Sequence, residues 1–168
     1  LGHQAVLDQA HAGAKASGGR VVLITFDPHP IRVLRPEEAP RILTNTRHKL
    51  KLAERMGVQT AVIVTFDAEF ARRSGREFIV QLASTCEDLR QICVGSDWKF
   101  GSRRSGDLAL LETLGSELGF QASGAPTVEA DEAAVSSTRI RELIREGNFE
   151  EAAHLLGRNY TVLGTVVE

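Results

Sequence analysis

The sequence predicts an α/β domain in which a parallel sheet is covered by helices, and three observations carry that prediction. Short apolar runs rich in β-branched residues recur as RVVLITF, TAVIVTF and QICVGSD, the composition of strands buried on both faces. Amphipathic stretches separate them: HQAVLDQAHAGAKAS, TRHKLKLAERMG, GREFIVQLASTC, GDLALLETLGSELG, and the pair STRIRELIREG and NFEEAAHLLG. Strand and helix therefore alternate, and parallel strands joined by helical crossovers give the doubly wound arrangement.

Each element has a local reason. Gly57, Gly119, Gly147 and Gly157 follow the last periodic residues of four helices, where a left-handed residue closes a helix most easily. FQASGAPTVEA predicts a further short strand. The first residues, LGHQ, read as the start of a helix whose preceding strand and loop lie outside the chain. The tail NYTVLGTVVE, with Gly164 at its centre and no helix after it, predicts the first strand of a following β-type domain.

Composition narrows the function. At 168 residues the chain supports one main core, and 42% hydrophobic with 25% charged residues is ordinary for a globular protein. A formal net charge of −2 supplies no global field for nucleic acid or an anionic membrane, so any anion site must be a local cluster. No apolar run reaches the length of a membrane span, and no signal-peptide pattern opens the chain. Cys86 and Cys93 lack the spacing of a metal site or disulfide framework and read as two reduced packing thiols, which favours a cytoplasmic location.

Ligands of open parallel sheets bind beyond the carboxyl ends of the strands. After VVLIT comes FDPHP, where Pro28 and Pro30 stiffen a loop carrying Asp27 and His29; it is either a rigid platform or an ordinary proline-built turn. After QICV comes GSDWKFGSRRSGD, an aromatic and basic loop able to stack a planar ring and pair with phosphate, or to hold single-stranded nucleic acid; most such charged loops are merely solvated. In VSSTRIREL, Ser136 or Ser137 caps a helix whose first turn carries Arg139 and Arg141 instead of the acid that a helix start favours. That mismatch suits a bound phosphate. Two residues apart, the arginines cannot share a face, so at most one aims at the ligand. Gly2 and His3 open another helix, where the dipole disfavours a protonated histidine until an anion binds. Neither a P-loop nor a GxGxxG fingerprint is present.

LGHQ, VVLITFDPHP, RILT, VGSDWKFG, SGD, VSSTRIRELI and LGRNY stand in the order and approximate spacing of a known family. Across essentially the whole chain the sequence resembles the bacterial bifunctional riboflavin kinase/FMN adenylyltransferases, or FAD synthetases. The resemblance implies a Rossmann-like domain of the HxGH nucleotidylyltransferase superfamily over residues 1–156. It also implies a linker and the start of a β-barrel riboflavin kinase domain over 157–168. Leu1, Gly2 and His3 match the last three positions of HxGH. Ser136, Ser137, Thr138 and Arg141 match the second phosphate-binding motif.

The implied reaction transfers AMP from ATP to FMN, giving FAD and pyrophosphate. His3 and Arg141 are the implied catalytic residues, and Gly2, His3, Ser136, Ser137, Thr138 and Arg141 bind ATP phosphates. Phe26, Pro28, His29, Asp97, Trp98 and Phe100 are the candidates for flavin or nucleotide contacts. Magnesium is expected with ATP, held by substrate oxygens and water without a protein metal site. The partners are ATP, FMN and a kinase domain in the same parent chain, with no nucleic acid and no membrane. This chain alone should turn over more slowly than its parent. Trp98 stands where the family commonly has phenylalanine, Ser96 where an acid is frequent, and Asn159 where proline is common. The rival readings are an HxGH enzyme with another phosphorylated acceptor, and a nucleotide- or RNA-binding module without catalysis.

Overall fold

The computed structural model describes residues 1–166. Helix α1 (Gly2–Ser17) is closed by Gly18 in the left-handed region and leads into strand β1 (Val22–Asp27). A short helix α2 (Pro30–Leu34) follows the proline loop, then α3 (Thr46–Arg55), β2 (Thr60–Thr65) and α4 (Gly75–Thr85). Strand β3 (Gln91–Gly95), helix α5 (Leu108–Leu118) and strand β4 (Gln121–Ala125) complete the alternation. A two-residue-per-strand hairpin, β5 (Glu129–Ala130) and β6 (Ala133–Ala134), introduces α6 (Ser137–Glu146) and α7 (Phe149–Leu156).

The pairing is parallel as expected, but it forms two ladders and not one continuous sheet. Strand β1 runs beside β2 with Val22 opposite Thr60 and Asp27 opposite Thr65, and β3 runs beside β4 with Gln91 opposite Gln121. Burial on both faces, expected for every strand, fails at β2. Val62 and Ile63 point to opposite faces, and each is 46% exposed. The reason is where the helices lie, since α1 packs on β3 and α5 on β4.

The main core accordingly sits over the second ladder. Ile79, Leu111, Leu114, Phe100 and Phe120 are buried together, with Phe78, Ile92, Val94 and Trp98 packed against them. From Phe78 an aromatic chain runs through Phe26, Phe66 and Phe70 with ring centroids 5.5–6.1 Å apart, joining the end of β1 to this core. Side-chain caps start the helices: Asn45, Asp107, Ser136 and Asn148 each accept a backbone N–H, and Ser74 forms a reciprocal capping box with Glu77.

The loop after β3 is fixed by glycine contacts. Phe100 and Gly106 exchange backbone hydrogen bonds of 3.0 and 2.8 Å, and Gly75 donates to Ser105 Oγ at 3.0 Å. A Cβ on Gly75 would lie 2.8 Å from Gly106 Cα and 3.1 Å from the Phe100 ring. Gly75→Ala should therefore cost about 1–3 kcal/mol through overpacking, read as a lower denaturant midpoint.

Two further expectations are corrected. Residues 159–166 form no strand: the Leu163 carbonyl accepts from Asn45 Nδ2 at 3.0 Å, Thr161 Oγ1 bonds His48 Nε2 at 3.1 Å, and no sheet edge runs alongside. The last two residues of the expected strand, 167 and 168, lie outside the described residues. Cys86 is exposed and so is no packing thiol, while Cys93 is half-buried and both are free. Among the described residues no helix is long and apolar enough to cross a membrane.

Candidate active site

Two helix starts meet at the carboxyl-end side of β1. Helix α1 has no side-chain cap and no acid in its first turn, and α6 likewise has no acid there. A Cβ on Gly2 would lie 3.9 Å from the carbonyl of Val135, just before the α6 cap, so the two N-termini share one region. Their unsatisfied N–H groups and dipoles add to a locally positive potential. In α6, Ser136 Oγ accepts from Arg139 N at 3.2 Å, while Ser136, Ser137 and Thr138 all stay exposed.

The structure separates the two arginines by what holds them. Arg139 donates to the Ala130 carbonyl at 2.8 Å and pairs with Glu151 at 3.2 Å and Asp131 at 3.4 Å, tying the hairpin and α7 to α6. Arg141 donates only its Nε–H, to the Arg41 carbonyl at 2.8 Å, and has no carboxylate partner among the described residues. Partial burial lowers its guanidinium basicity.

The proline loop faces the same region. Asp27 and Pro28 are joined by a cis peptide bond. His29 caps α2, its Nδ1 accepting from Ile31 N at 3.3 Å, so the neutral ring carries its proton on Nε2. Burial lowers the His29 pKa first, and the nearby charges of Arg141, Lys49 and Arg32 lower it further. His3 is lowered in the same way, first by the crowding of protein around a ring that solvent still reaches and also by Lys49. Lys49 thus bears on both His3 and His29, and Arg141 on His29, which puts the four basic groups in one neighbourhood.

Lys49 is the residue that sequence reasoning missed. It reaches from α3 to donate to Thr25 Oγ1 at 2.9 Å, and Thr46, one turn earlier, donates to Asp27 Oδ2 at 2.8 Å. The available signal was the spacing of Thr46 and Lys49, three apart on a helix and hence on one face, directly after the RILT stretch.

The loop after β3 contributes less than expected. Asp97 accepts from Thr127 at 2.7 Å, and Ser96 N donates to the Ala125 carbonyl at 2.8 Å, which joins the ends of β3 and β4. Trp98 stacks on Phe100 at 4.2 Å with the planes 16° apart. Phe100 is only 7% exposed, so it belongs to the core and Trp98 is the ring left at the surface. Phe26 is likewise engaged with Phe66, Phe70 and Phe78. Lys99 is paired with Asp107 at 2.9 Å and is not a free phosphate ligand. Among the described residues no three His, Cys, Asp or Glu side chains come together as a metal cage.

Comparison with known proteins adds independent findings. A family model described as FAD synthetase matches residues 1–139. The chain is 30% identical to the bifunctional riboflavin kinase/FMN adenylyltransferase of Buchnera aphidicola subsp. Schizaphis graminum, over 99% of this chain and 54% of that protein. Against the protein of the same description from Escherichia coli K12 the values are 31%, 99% and 53%. It is 32% identical to the FAD synthetase of Listeria monocytogenes, over 99% of this chain and 67% of that one. The chain thus spans about half the length of the two bifunctional relatives. A crystal structure described as a macrolide-efflux protein from Streptococcus pneumoniae superposes with a TM-score of 0.79 at 27% identity, over 95% of this chain and 60% of that one.

Proposed function

Because the chain belongs to the FAD synthetase family, we propose that it carries the FMN adenylyltransferase reaction, in which AMP passes from ATP to FMN to give FAD and pyrophosphate. The observation that supports this most is the convergence of Arg141, His3, His29 and two acid-free helix starts on one basin. Such a basin suits a polyphosphate.

A phosphate oxygen of FMN attacks the α-phosphorus of ATP, a new P–O–P bond forms, and the bond to pyrophosphate breaks. The nucleophile is already ionised, so no covalent enzyme intermediate or strong base is needed. Alignment and charge stabilisation supply the acceleration. In this reading Arg141 and the N–H groups at the start of α6 take the triphosphate, with the Ser137 and Thr138 hydroxyls beside them. His3, at the start of α1, donates to the oxygens on which charge builds. Pro28, His29, Asp97 and Trp98 border the acceptor side, and Trp98 offers a ring face for the flavin.

Magnesium enters with ATP as part of the substrate, neutralising charge between phosphates. The donor set fits an ion held mainly by phosphate oxygens and water, with Asp27 the carboxylate available to share it. A riboflavin kinase domain beginning near residue 157 would supply FMN within the same parent chain. The substrates and the free thiols favour the cytoplasm.

The protein supplied with FMN, ATP and magnesium should form FAD and pyrophosphate, and should not use pantetheine phosphate or nicotinate mononucleotide in place of FMN. A folded protein that binds both nucleotides yet releases no pyrophosphate would refute the reading.

A further inference from the structure

Half-buried on α3, Lys49 is an ammonium without a direct ion pair among the described residues. Lysine is ordinarily exposed, and a partly desolvated ammonium calls for a carboxylate or several acceptors. Here one donor goes to Thr25 Oγ1 at 2.9 Å, and Thr25 is itself only 8% exposed. No carboxylate lies within ion-pair distance of Lys49 among the described residues. The Asp27 carboxylate is near enough to favour the charged ammonium in part, but its hydrogen bond is from Thr46, at 2.8 Å, and not from Lys49. Lys49 bears electrostatically on His3 and His29, and Arg141 also bears on His29, so positive groups outnumber the one nearby carboxylate, Asp27, and a bound polyanion would balance them. Lys99 and Arg139 differ, since Lys99 has Asp107 and Arg139 has Asp131 and Glu151.

We propose that Lys49 is a further phosphate ligand of the adenylyl-transfer site, held ready by the Thr25 hydroxyl, with Thr25 a positioning residue. The proposal rests on the adenylyltransferase reading for the identity of the phosphate. Its geometry adds a second cation, anchored to β1 through Thr25, to the one carried on α6. A lysine suits the place because its ammonium is a mobile point charge with donors to spare beyond the one used on Thr25. The ligand chemistry is a phosphate oxygen, which either the triphosphate of ATP or the phosphomonoester of FMN can supply.

The test compares Lys49→Met, Lys49→Arg and Thr25→Val with the parent, and uses exposed Lys51→Met as control. Separate KM values for ATP and FMN are measured, together with equilibrium binding of inorganic pyrophosphate. Lys49→Met should weaken phosphate recognition about tenfold, as expected for one charge-assisted hydrogen bond. Lys49→Arg should recover part of that loss. Thr25→Val should raise the same KM to a smaller degree with kcat little changed, a split that mere loosening of the fold would not produce.

If the ligand is the triphosphate, the ATP KM and pyrophosphate affinity move together while the FMN KM holds. If it is the flavin phosphate, the FMN KM moves alone. Parent-like values for both KM constants and for pyrophosphate in folded Lys49→Met would overturn the proposal. Should Lys49→Met not fold, Lys49→Gln and Thr25→Val carry the same readings, and parent-like constants in both would overturn the proposal equally. A parent that binds pyrophosphate through Lys49 but makes no FAD would sink the adenylyltransferase reading and leave the phosphate ligand standing.

Discussion

Arg141→Ala is expected to lower kcat/KM for FAD formation by about a hundred- to a thousandfold, the usual cost of removing one donor aimed at developing phosphate charge. The same change at Arg139, two residues earlier, should act on another quantity. Arg139 spends its guanidinium on the Ala130 carbonyl, Asp131 and Glu151, with its side chain 26% exposed. Removing it leaves a carbonyl and two carboxylates without their donor and loosens the hairpin and α7 from α6. A loss of about 1–3 kcal/mol of stability follows, with turnover of the folded fraction kept within a few-fold. Arg141 makes a single bond, to the Arg41 carbonyl, so its removal should shift the unfolding midpoint little. Steady-state kinetics and denaturant unfolding on both variants separate these effects. Equal losses of kcat/KM would mean that α6 does not aim Arg141 at the substrate.

The division between the two arginines shows where reading the sequence succeeds and where it stops. The hydroxyl cap at Ser136 and the incompatibility of two arginines on one face are local facts, set by residues within a turn of each other. Arg139's partners are not local, for Glu151 lies on the next helix and Asp131 on a hairpin that carries no Asn-Gly or Asp-Gly signal. That turn instead puts Asp131 and Glu132 at φ 54° and 60°, positions where glycine or asparagine would have announced it. Alternating apolar runs revealed every long element. They could not reveal that β1–β2 and β3–β4 form separate ladders, because periodicity within a strand carries no information on its neighbours.

The same limit governs the aromatic candidates. WKF reads as two rings beyond a strand end, yet the backbone exchange between Phe100 and Gly106 folds the second ring into the core and leaves Trp98 above it. Gly75 and Gly106 make that close approach possible, and Gly75 lies outside the motif, on the preceding helix. Lys49 escaped notice for a related reason. Its partner Thr25 lies 24 residues away, and a lysine inside an amphipathic helix ordinarily reads as solvated surface.

His3 carries the second large effect, and its charge state makes the prediction sharper than a loss of rate. His3→Ala should reduce kcat by about a hundredfold or more while the KM for FMN changes little, since the donor is worth most where transition-state charge collects. In the free protein the His3 pKa is held below its ordinary value by crowding and by Lys49, which favours the neutral ring. Bringing a triphosphate into the basin reverses the electrostatic sign and favours the imidazolium, so nucleotide binding should take up protons. Titration calorimetry at pH 7 in buffers of different ionisation enthalpy reads that uptake, which should shrink in His3→Ala.

The stability consequence has a definite direction. His3, His29 and His48 all have folded pKa values below the unfolded value of about 6.5. In that window the unfolded chain binds more protons than the folded one, so stability rises with pH there. It should be complete above about pH 6.5 and fall as the pH drops through the depressed folded values. ATP bound at the site should blunt the part of this acid loss that comes from His3 and His29, leaving the part from His48, whose partner is Thr161 in the C-terminal segment. Thermal unfolding between pH 8 and 5 with and without ATP measures both parts. An acid loss unchanged by ATP, together with no proton uptake on binding, would remove His3 from the polyphosphate site.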